Sequence, residues 1–364
     1  MGYPNRAKNN DTQFNIMALV GNGFDIQVLN EYEQTTTTRY EDFYHFMKMK
    51  NLDAGNLVLR EMEASLGSGL ANWSDVEGCL AQLAAKGVPI DEIRTSLVEV
   101  RACFSDFLNT VVSSSLLARL SDDAEQRKWS LATLSRFLSD VDDEEQLRKV
   151  PFGMHKSNYD TYNYYFVNFN YTSLLDNYLF MDSTQFDPLP HKTVDTNFTF
   201  YADPRGFDQS SWTFASSSYV EAQVVHPHGY QDIPRSLLFG VDLEGDPRAK
   251  NAKLAKPYWA RAETRYAHLF PDTHLFVVFG SSLGATDSWW WQRIARALET
   301  DQKRALMVYW WNRLDVSPET PDKVADRFFD VANVSPDDRL KIRDQIVVVS
   351  YNEKTERVWL NTAR

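Results

Sequence analysis

Residues 14–25 read FNIMALVGNGFD, an apolar run of strand character that leads directly into Gly21, Asn22 and Gly23. A more polar segment follows, so the expected order is strand, glycine turn and helix. Nucleotide sites of α/β folds have this order, because glycine lets the backbone approach a pyrophosphate and free N–H groups at the helix start favour negative charge. The stretch therefore predicts a nucleotide-binding turn, and the plainer alternative is a tight strand-to-helix turn without a ligand.

This turn lacks one feature of the dinucleotide-binding fingerprint. The fingerprint has a third glycine three residues after the second, but Ile26 stands at that position. A plain dinucleotide dehydrogenase is therefore not the expected class.

Length and charge limit the classes to which the chain can belong. With 364 residues, 43% of them apolar, it can bury a large core, and we expect one domain with an insertion or two domains. Its 38 Lys and Arg residues against 50 Asp and Glu residues give a net charge of -12, which disfavours non-specific binding to nucleic acid.

Hydropathy and cysteine content predict the cellular compartment and the state of the thiols. No run of about 18 apolar residues occurs, and the polar N-terminus lacks the apolar core of a signal peptide, so we expect a cytoplasmic protein with no membrane span. The two cysteines, Cys79 and Cys103, cannot form a four-cysteine zinc site by themselves and are expected to be buried thiols.

Helical and strand patterns divide the chain. Residues 55–150 carry only helical periodicity and predict a large helical insertion. Strand-like runs at residues 162–170, 220–225 and 274–279 alternate with helical segments. This alternation predicts an α/β fold in which helices flank a mostly parallel sheet. We therefore expect one nucleotide-binding domain over residues 14–364, with the insertion inside it.

Four polar clusters each follow a predicted strand. They occupy residues 21–25, 168–172, 226–229 and 280–287. In an open parallel sheet, ligands bind in the crevice outside the carboxyl ends of the strands. Clusters at four such ends can therefore border one pocket, and this recurrence has more weight than any single motif.

A longer set of motifs follows a fixed order along the chain. The set is GNGFD at 21–25, TxYxDF at 38–43, WxDxE at 73–77, FNYT at 169–172, HxHG at 226–229 and GxSL with Asp287 at 280–287. This order resembles the AbiH family of bacterial phage abortive-infection proteins, which is in turn similar to the sirtuin-like NAD-binding fold. The resemblance implies a Rossmann-like (sirtuin-like) domain, NAD as substrate and a role in anti-phage defence.

The resemblance also implies where each part of NAD would bind. The residues that match the pyrophosphate-binding turn are Gly21, Asn22, Gly23 and Phe24. The residues that match the adenosine end are Gly280, Ser281, Ser282 and, for its ribose, Asn312. Asn170 matches the asparagine that positions the nicotinamide ribose, and His228 matches the histidine that acts as base.

These residue types suit cleavage of the nicotinamide–ribose bond. The bond breaks through an oxocarbenium-like state with a neutral leaving group, so no strong general acid is needed. Asn170 is expected to hold the ribose hydroxyls and water, and His228 is expected to be the base because the imidazole pKa of about 6.5 lies near cellular pH. The backbone amides of residues 21–23 are expected to hold the diphosphate.

The chain departs from the sirtuin pattern in two places. Thr172 replaces the aspartate that follows the sirtuin asparagine by two residues, and the four-cysteine zinc module cannot be built. Extra residues also separate Asp25 from Tyr40 relative to the usual AbiH spacing. Protein deacylation is therefore not expected.

Each candidate catalytic residue has a plainer alternative. Asn170 can satisfy backbone groups in a strand-end turn, and His228 can be a hydrogen-bonded turn histidine. His226 lies two positions from His228 and can exchange roles with it or orient it. Asp25 can cap a helix or point toward ribose. A metal site is not expected, because no third ligand lies at a suitable spacing from the two histidines.

Other polar and aromatic residues are expected to be structural. Asp287 is predicted to cap the helix that carries Trp289–Trp291, and Asp75 and Glu77 are predicted to open another helix. The tryptophans at 289–291 and 310–311 are expected to pack in the core or an interface.

Three hypotheses from different classes remain open. The first is an NAD glycohydrolase that depletes NAD in phage defence. The second is a nucleotide-binding sensor, or regulatory subunit of a defence complex, that hydrolyses nothing. The third is a structural subunit whose exposed aromatic residues form an oligomer interface.

Overall fold

Six parallel strands form one sheet in the computed structural model. The structure describes residues 12–152, 160–180, 198–207, 215–240, 256 and 260–364. The strands of this sheet are β1 (Gln13–Val20), β2 (Thr161–Asn168), β5 (Tyr219–Val225), β6 (Leu275–Phe279), β7 (Ala305–Trp311) and β8 (Ile346–Tyr351). Their spatial order is β5-β2-β1-β6-β7-β8, and every neighbouring pair is parallel. Two shorter strands, β3 (Thr199–Tyr201) and β4 (Ala215–Ser217), form a separate antiparallel pair.

Alternating side chains of β1 explain why this strand lies at the centre of the sheet. Ile16 and Ala18 belong to one hydrophobic cluster, whereas Met17 and Leu19 belong to a second one. Successive residues of a strand point to opposite faces, so β1 supplies the core on both sides of the sheet. A parallel sheet buried on both faces needs such continuous apolar strands.

Helices cover the two faces. Those before and just after β2 are α1 (Gly23–Glu31), α2 (Tyr40–Met49), α3 (Leu57–Gly67), α4 (Val76–Ala85), α5 (Ile90–Val111), α6 (Ser114–Gln126), α7 (Trp129–Arg136), α8 (Glu144–Arg148) and α9 (Leu174–Leu179). The later ones are α10 (Ala262–Tyr266), α11 (Ser288–Thr300), α12 (Pro321–Val331) and α13 (Pro336–Ile342). In the described part of the chain, no helix combines the length and apolar character needed to cross a membrane.

The mostly parallel sheet flanked by helices confirms the predicted α/β class. Residues 55–150 are helical, as expected, but their apolar side chains belong to the same hydrophobic cluster as one face of β1. They therefore share the core of the sheet, and the division of residues 14–364 into a domain and an insertion stays a prediction.

Candidate functional site

The carboxyl ends of four neighbouring strands bring the predicted polar clusters to one edge. β5, β2, β1 and β6 are adjacent and parallel, so the segments that follow them lie side by side. Along the chain, strands are added on one side of β1 up to β5 and then on its other side from β6. The connections therefore leave in opposite directions between β1 and β6, where a crevice forms in open α/β sheets.

Glycines let the turn after β1 and the turn after β6 approach each other closely at this crevice. Gly21 N donates to Phe279 O at 2.8 Å, and Gly23 N donates to Gly280 O at 2.8 Å. A Cβ atom on Gly21 would lie 2.6 Å from Gly280 O, so only glycine permits this approach. Both amides already have acceptors within the protein, and the expectation that the amides of residues 21–23 hold a diphosphate stays a prediction.

Replacing Gly280 with alanine should weaken this contact. Gly280 has φ +66, and a Cβ atom would lie 2.8 Å from Phe24 N. Gly69 is a matched control because it has φ +70 with nothing within 4 Å of its Cβ position. We expect Gly280→Ala to lower the free energy of unfolding by about 2 kcal/mol more than Gly69→Ala, as measured by urea denaturation. Equal losses would mean that the turns can move apart without cost.

Asn170 links the end of β2 to the glycine turn. Its Nδ2 donates to Gly21 O at 3.2 Å and to Asp25 Oδ1 at 2.9 Å. Thr172 Oγ1 donates to the other oxygen, Asp25 Oδ2, at 2.7 Å. Among the described residues, no protein group bonds Asn170 Oδ1, which leaves this acceptor for a hydroxyl group or water. Three residues from two predicted clusters therefore form one network.

Asp25 is an almost fully buried carboxyl group in the first turn of α1. Burial raises its pKa to about 7, although the hydrogen bonds from Thr172 and Asn170 act in the opposite direction. Its side chain accepts from Asn170 and Thr172, which follow β2, so it is more than a simple helix cap. A carboxyl group with this pKa can exist in either protonation state near neutral pH.

The raised pKa of Asp25 predicts a loss of stability with rising pH. The folded state keeps its proton between pH 3.8 and about 7, whereas the unfolded chain has lost it, so stability falls across this window. The free energy of unfolding of the wild type should therefore fall between pH 5 and pH 8. We expect Asp25→Asn to remove on the order of 2 kcal/mol of this fall. Denaturation curves at several pH values measure this, with the exposed Asp53→Asn as control. An unchanged pH profile would contradict the assignment to Asp25.

His226 supports the backbone of Asn170. Its Nδ1 lies 3.1 Å from Asn170 O, and its Nε2 lies 2.9 Å from Asp176 Oδ2. The ring also packs on Tyr230 at 3.8 Å between centroids. Its side chain is fully buried, so this position suits an orienting role, which was one of the two expected alternatives.

His228 lies next to a carboxylate. Its Nδ1 is 3.2 Å from Phe169 O, its Nε2 is 3.3 Å from Asp287 Oδ1, and its ring stacks on Phe169 at 5.1 Å. Burial, followed by the nearby charge of Lys256, lowers the pKa of His228, which favours the neutral ring at pH 7. With the proton on Nδ1 donated to the carbonyl, Nε2 is unprotonated, and Asp287 would stabilise a proton that Nε2 accepts.

Asp287 does not cap a helix as predicted. It occupies the position before α11, but its side chain makes no capping bond. Its carboxylate instead pairs with His228 and lies 3.8 Å from Lys256 Nζ. Burial by itself raises the pKa of Asp287, but Lys256 and His228 outweigh it and hold the pKa at about 2. Two cationic or protonatable neighbours therefore attract this side chain away from the helix backbone.

Glu77 and Lys256 complete a buried charge cluster. Asp75 caps α4 by accepting from Glu77 N at 3.1 Å, as expected, but the Glu77 side chain forms an ion pair with Lys256 Nζ. Only 8% of the Glu77 side chain and 6% of the Lys256 side chain are exposed. Burial raises the pKa of Glu77 to about 7, although Lys256 lowers it. We call Glu77, Lys256, Asp287 and His228 the ionic cluster.

A cavity of about 510 Å³ lies at the same edge, on the side of β1 that faces β6. The predicted residues that line it are Gly23, Gly280, Ser281 and Ser282. Its volume is within the usual range of small-molecule sites. Neither Asn170 nor the ionic cluster lines this cavity, although Gly23 and Gly21 connect it to Asn170 through the turn.

Comparison with protein families identifies the chain. The family model for bacteriophage abortive infection AbiH matches residues 17–309. The chain belongs to the AbiH family. This membership indicates a role in phage abortive infection. A comparison with curated proteins finds no match.

The AbiH match covers only part of the cavity wall. It contains the glycine turn, Asn170, His228 and the serines that follow β6. The opposite wall comes from the end of β7, the end of β8 and the segment through Ala363, which lie almost wholly beyond the matched residues. The cavity of this AbiH protein is therefore closed by residues that the family model does not describe.

Four predicted nucleotide-binding residues do not line the cavity of this AbiH protein. Gly21 lies against Gly280, and Phe24 is fully buried and packs on Phe279. The Asn22 side chain pairs with Thr38, donating to its carbonyl at 3.2 Å and accepting from its hydroxyl at 2.5 Å. Asn312 Oδ1 accepts from Glu319 N at 3.0 Å. Their binding roles stay predictions.

Sequence reasoning missed two members of the ionic cluster. Glu77 was recognised only as part of a helix-opening motif, and Lys256 lies in no motif. The described residues contain no group of three or more His, Cys, Asp and Glu side chains that could hold a metal ion.

Proposed function

We propose that this AbiH-family protein binds NAD in the cytoplasm and hydrolyses its nicotinamide–ribose bond, which would deplete NAD during phage defence. A relationship to the sirtuin-like NAD-binding fold is part of the proposal. The observation that carries it is the position of Asn170. Its side chain bonds the glycine turn, while His226 and His228 contact the carbonyl groups of Asn170 and Phe169.

The order of the strands supports a dinucleotide as ligand. Numbered along the chain, the six strands of the sheet follow the order 3-2-1-4-5-6, which is that of doubly wound folds that bind dinucleotides. The cavity lies where these folds hold their ligand, at the carboxyl ends of the first and fourth strands. NAD in the cavity would extend past Gly23 toward Asn170.

The chemistry of hydrolysis assigns a role to each polar group. The bond from ribose C1 to the nicotinamide nitrogen breaks, nicotinamide leaves neutral, and a water oxygen forms the new bond to C1. Asn170 Oδ1 would accept a hydrogen bond from a ribose hydroxyl or from this water. His228 would take the proton of the water, and Asp287 at 3.3 Å would stabilise the imidazolium.

Free nicotinamide is the product that tests the proposal. Purified protein incubated with NAD should release nicotinamide and ADP-ribose in equal amounts, measured by chromatography over time. A preparation that binds NAD but releases no nicotinamide, with phage-infected cell extract present or absent, would contradict the hydrolase.

A second candidate function is a nucleotide-binding sensor or regulatory subunit of a defence complex. It is favoured by the burial of Asn170 and His228, each only 4% exposed, and by their absence from the cavity wall. A ligand in the cavity would then be bound without reaching either residue. Calorimetry that detects NAD binding without turnover, together with sedimentation that detects an oligomer or complex, would favour this function.

A further inference from the structure

Arg357 is a buried cation at the wall of the cavity. Only 8% of it is exposed, and its Nε and Nη2 donate to Trp359 O, Leu360 O and Gln27 Oε1. Its guanidinium also lies over the rings of Phe279 at 4.6 Å and Tyr351 at 4.4 Å. These contacts fix the orientation of the side chain but contribute no negative charge.

The described part of the chain contains no ion pair of Arg357, although burial raises the pKa of the Asp140 carboxyl and the charge of the Arg357 guanidinium lowers it. Arg357 Nη1 also forms no bond to the described residues. Buried charges in proteins are normally paired, because an isolated charge is costly to desolvate. Nη1 keeps both of its N–H groups free at the cavity wall, and such a charged donor fits a phosphate oxygen of a bound anion.

Trp311 provides an aromatic surface at the same cavity. It is 47% exposed, although tryptophan at this position was expected to pack in the core or an interface. It lies opposite Tyr351 in the pairing of β7 with β8, and the ring of Tyr351 is covered by Arg357. Trp311 and Arg357 are therefore separated by one side chain along the wall. A solvent-exposed indole of this kind can stack on a nucleobase.

We propose that the cavity binds the nucleoside diphosphate part of its ligand through Arg357 and Trp311, with phosphate on Arg357 and the base on Trp311. The inference rests on the proposed nucleotide site and names residues outside the AbiH match. It also replaces the glycine amides, which already have acceptors within the protein, as the source of positive charge for the diphosphate.

Calorimetry with ADP and adenosine on the full chain tests the two contacts separately. Wild type should bind ADP about tenfold or more tightly than adenosine, because adenosine lacks the anion. Arg357→Lys should weaken ADP binding and leave adenosine binding unchanged, since the single amine of lysine cannot make the bonds of Nε and Nη2 to the protein and also donate to a phosphate. Trp311→Leu should weaken both ligands by about tenfold.

Trp289→Leu is the matched control, because Trp289 is also partly exposed but belongs to the hydrophobic cluster on the other face of the sheet. It should change neither affinity. Trp311 is exposed, so its replacement tests the inference even if the Arg357 variant unfolds. No ADP binding by wild type, equal affinity for ADP and adenosine, or wild-type ADP affinity in the Trp311 variant would overturn the inference.

The same variants separate this inference from the proposed hydrolysis. ADP binding that depends on Trp311 without release of nicotinamide from NAD would support the inference and contradict the hydrolase. Release of nicotinamide with the same KM for NAD in wild type, Arg357→Lys and Trp311→Leu would overturn the inference and leave the hydrolase standing.

Discussion

Replacing Lys256 with methionine is expected to lower the free energy of unfolding by about 3–5 kcal/mol. Methionine keeps the length of the side chain but removes its charge. Lys256 contacts Glu77 and Asp287, and all three side chains are mostly buried. Without the cation, two carboxylates of equal sign would remain close together in a poorly solvated site, and this leaves an uncompensated buried charge.

The loss should depend on pH. Burial already raises the pKa of Glu77 to about 7 with Lys256 present, and removing Lys256 would raise it further. A protonated Glu77 needs no cation, so Lys256→Met should cost less at pH 6 than at pH 8. The double variant Lys256→Met/Glu77→Gln should recover part of the loss, because a neutral amide replaces one carboxylate.

Lys48→Met provides the control for this prediction. Lys48 Nζ pairs with Glu63 at 2.7 Å, but both side chains are substantially exposed, so the loss of this pair should cost far less than the loss of Lys256. Urea denaturation of both variants at pH 6 and pH 8 gives the comparison. A denaturation midpoint for Lys256→Met equal to that of Lys48→Met would show that the ionic cluster contributes no stability.

The sequence was sufficient to predict the strand ends at the site. The apolar run before Gly21 predicted β1, and parallel neighbours of β1 bring Asn170 and the histidines to the same edge. This inference needs only strand direction and the periodicity of apolar residues. It holds because every ladder of the six-stranded sheet is parallel.

Contacts between distant segments could not be predicted in the same way. Whether Gly23 N is free depends on Gly280 O, which follows a strand more than 250 residues later. Asp287 occupies a capping position by sequence, but the charge of Lys256 and the ring of His228 attract its side chain elsewhere. Local sequence patterns predict which backbone conformation a residue prefers. These bonds depend instead on residues that are distant in the sequence and close in the fold.

The prediction that the tryptophans pack in the core or an interface is confirmed for Trp290 and Trp291, and for Trp311 it stays a prediction. Trp290 and Trp291 are buried in the core, as expected, because α11 packs its apolar face on the sheet. Trp311 lies at the last position of β7 and is 47% exposed, so it does not pack in the core. Composition alone does not distinguish an indole in a core from one at a cavity.

Replacing His228 or Asn170 with alanine is expected to reduce the kcat for nicotinamide release. His228→Ala should lower kcat by about 10²–10⁴-fold, because among the described residues no other histidine lies beside Asp287. Asn170→Ala should lower kcat by about 10²-fold, because the ribose and water lose one positioning contact. Neither residue lines the cavity, so the affinity for ADP should remain that of wild type in both variants.

Matched control variants distinguish a loss of catalysis from a loss of folding. Asn163 is a buried asparagine near the amino end of β2, and His274 is a mostly buried histidine just before β6. Asn163→Ala and His274→Ala should lower the melting temperature and leave kcat of the folded fraction unchanged. If these controls lose as much kcat as the Asn170 and His228 variants, the loss reflects unfolding, and the proposed roles of Asn170 and His228 are wrong.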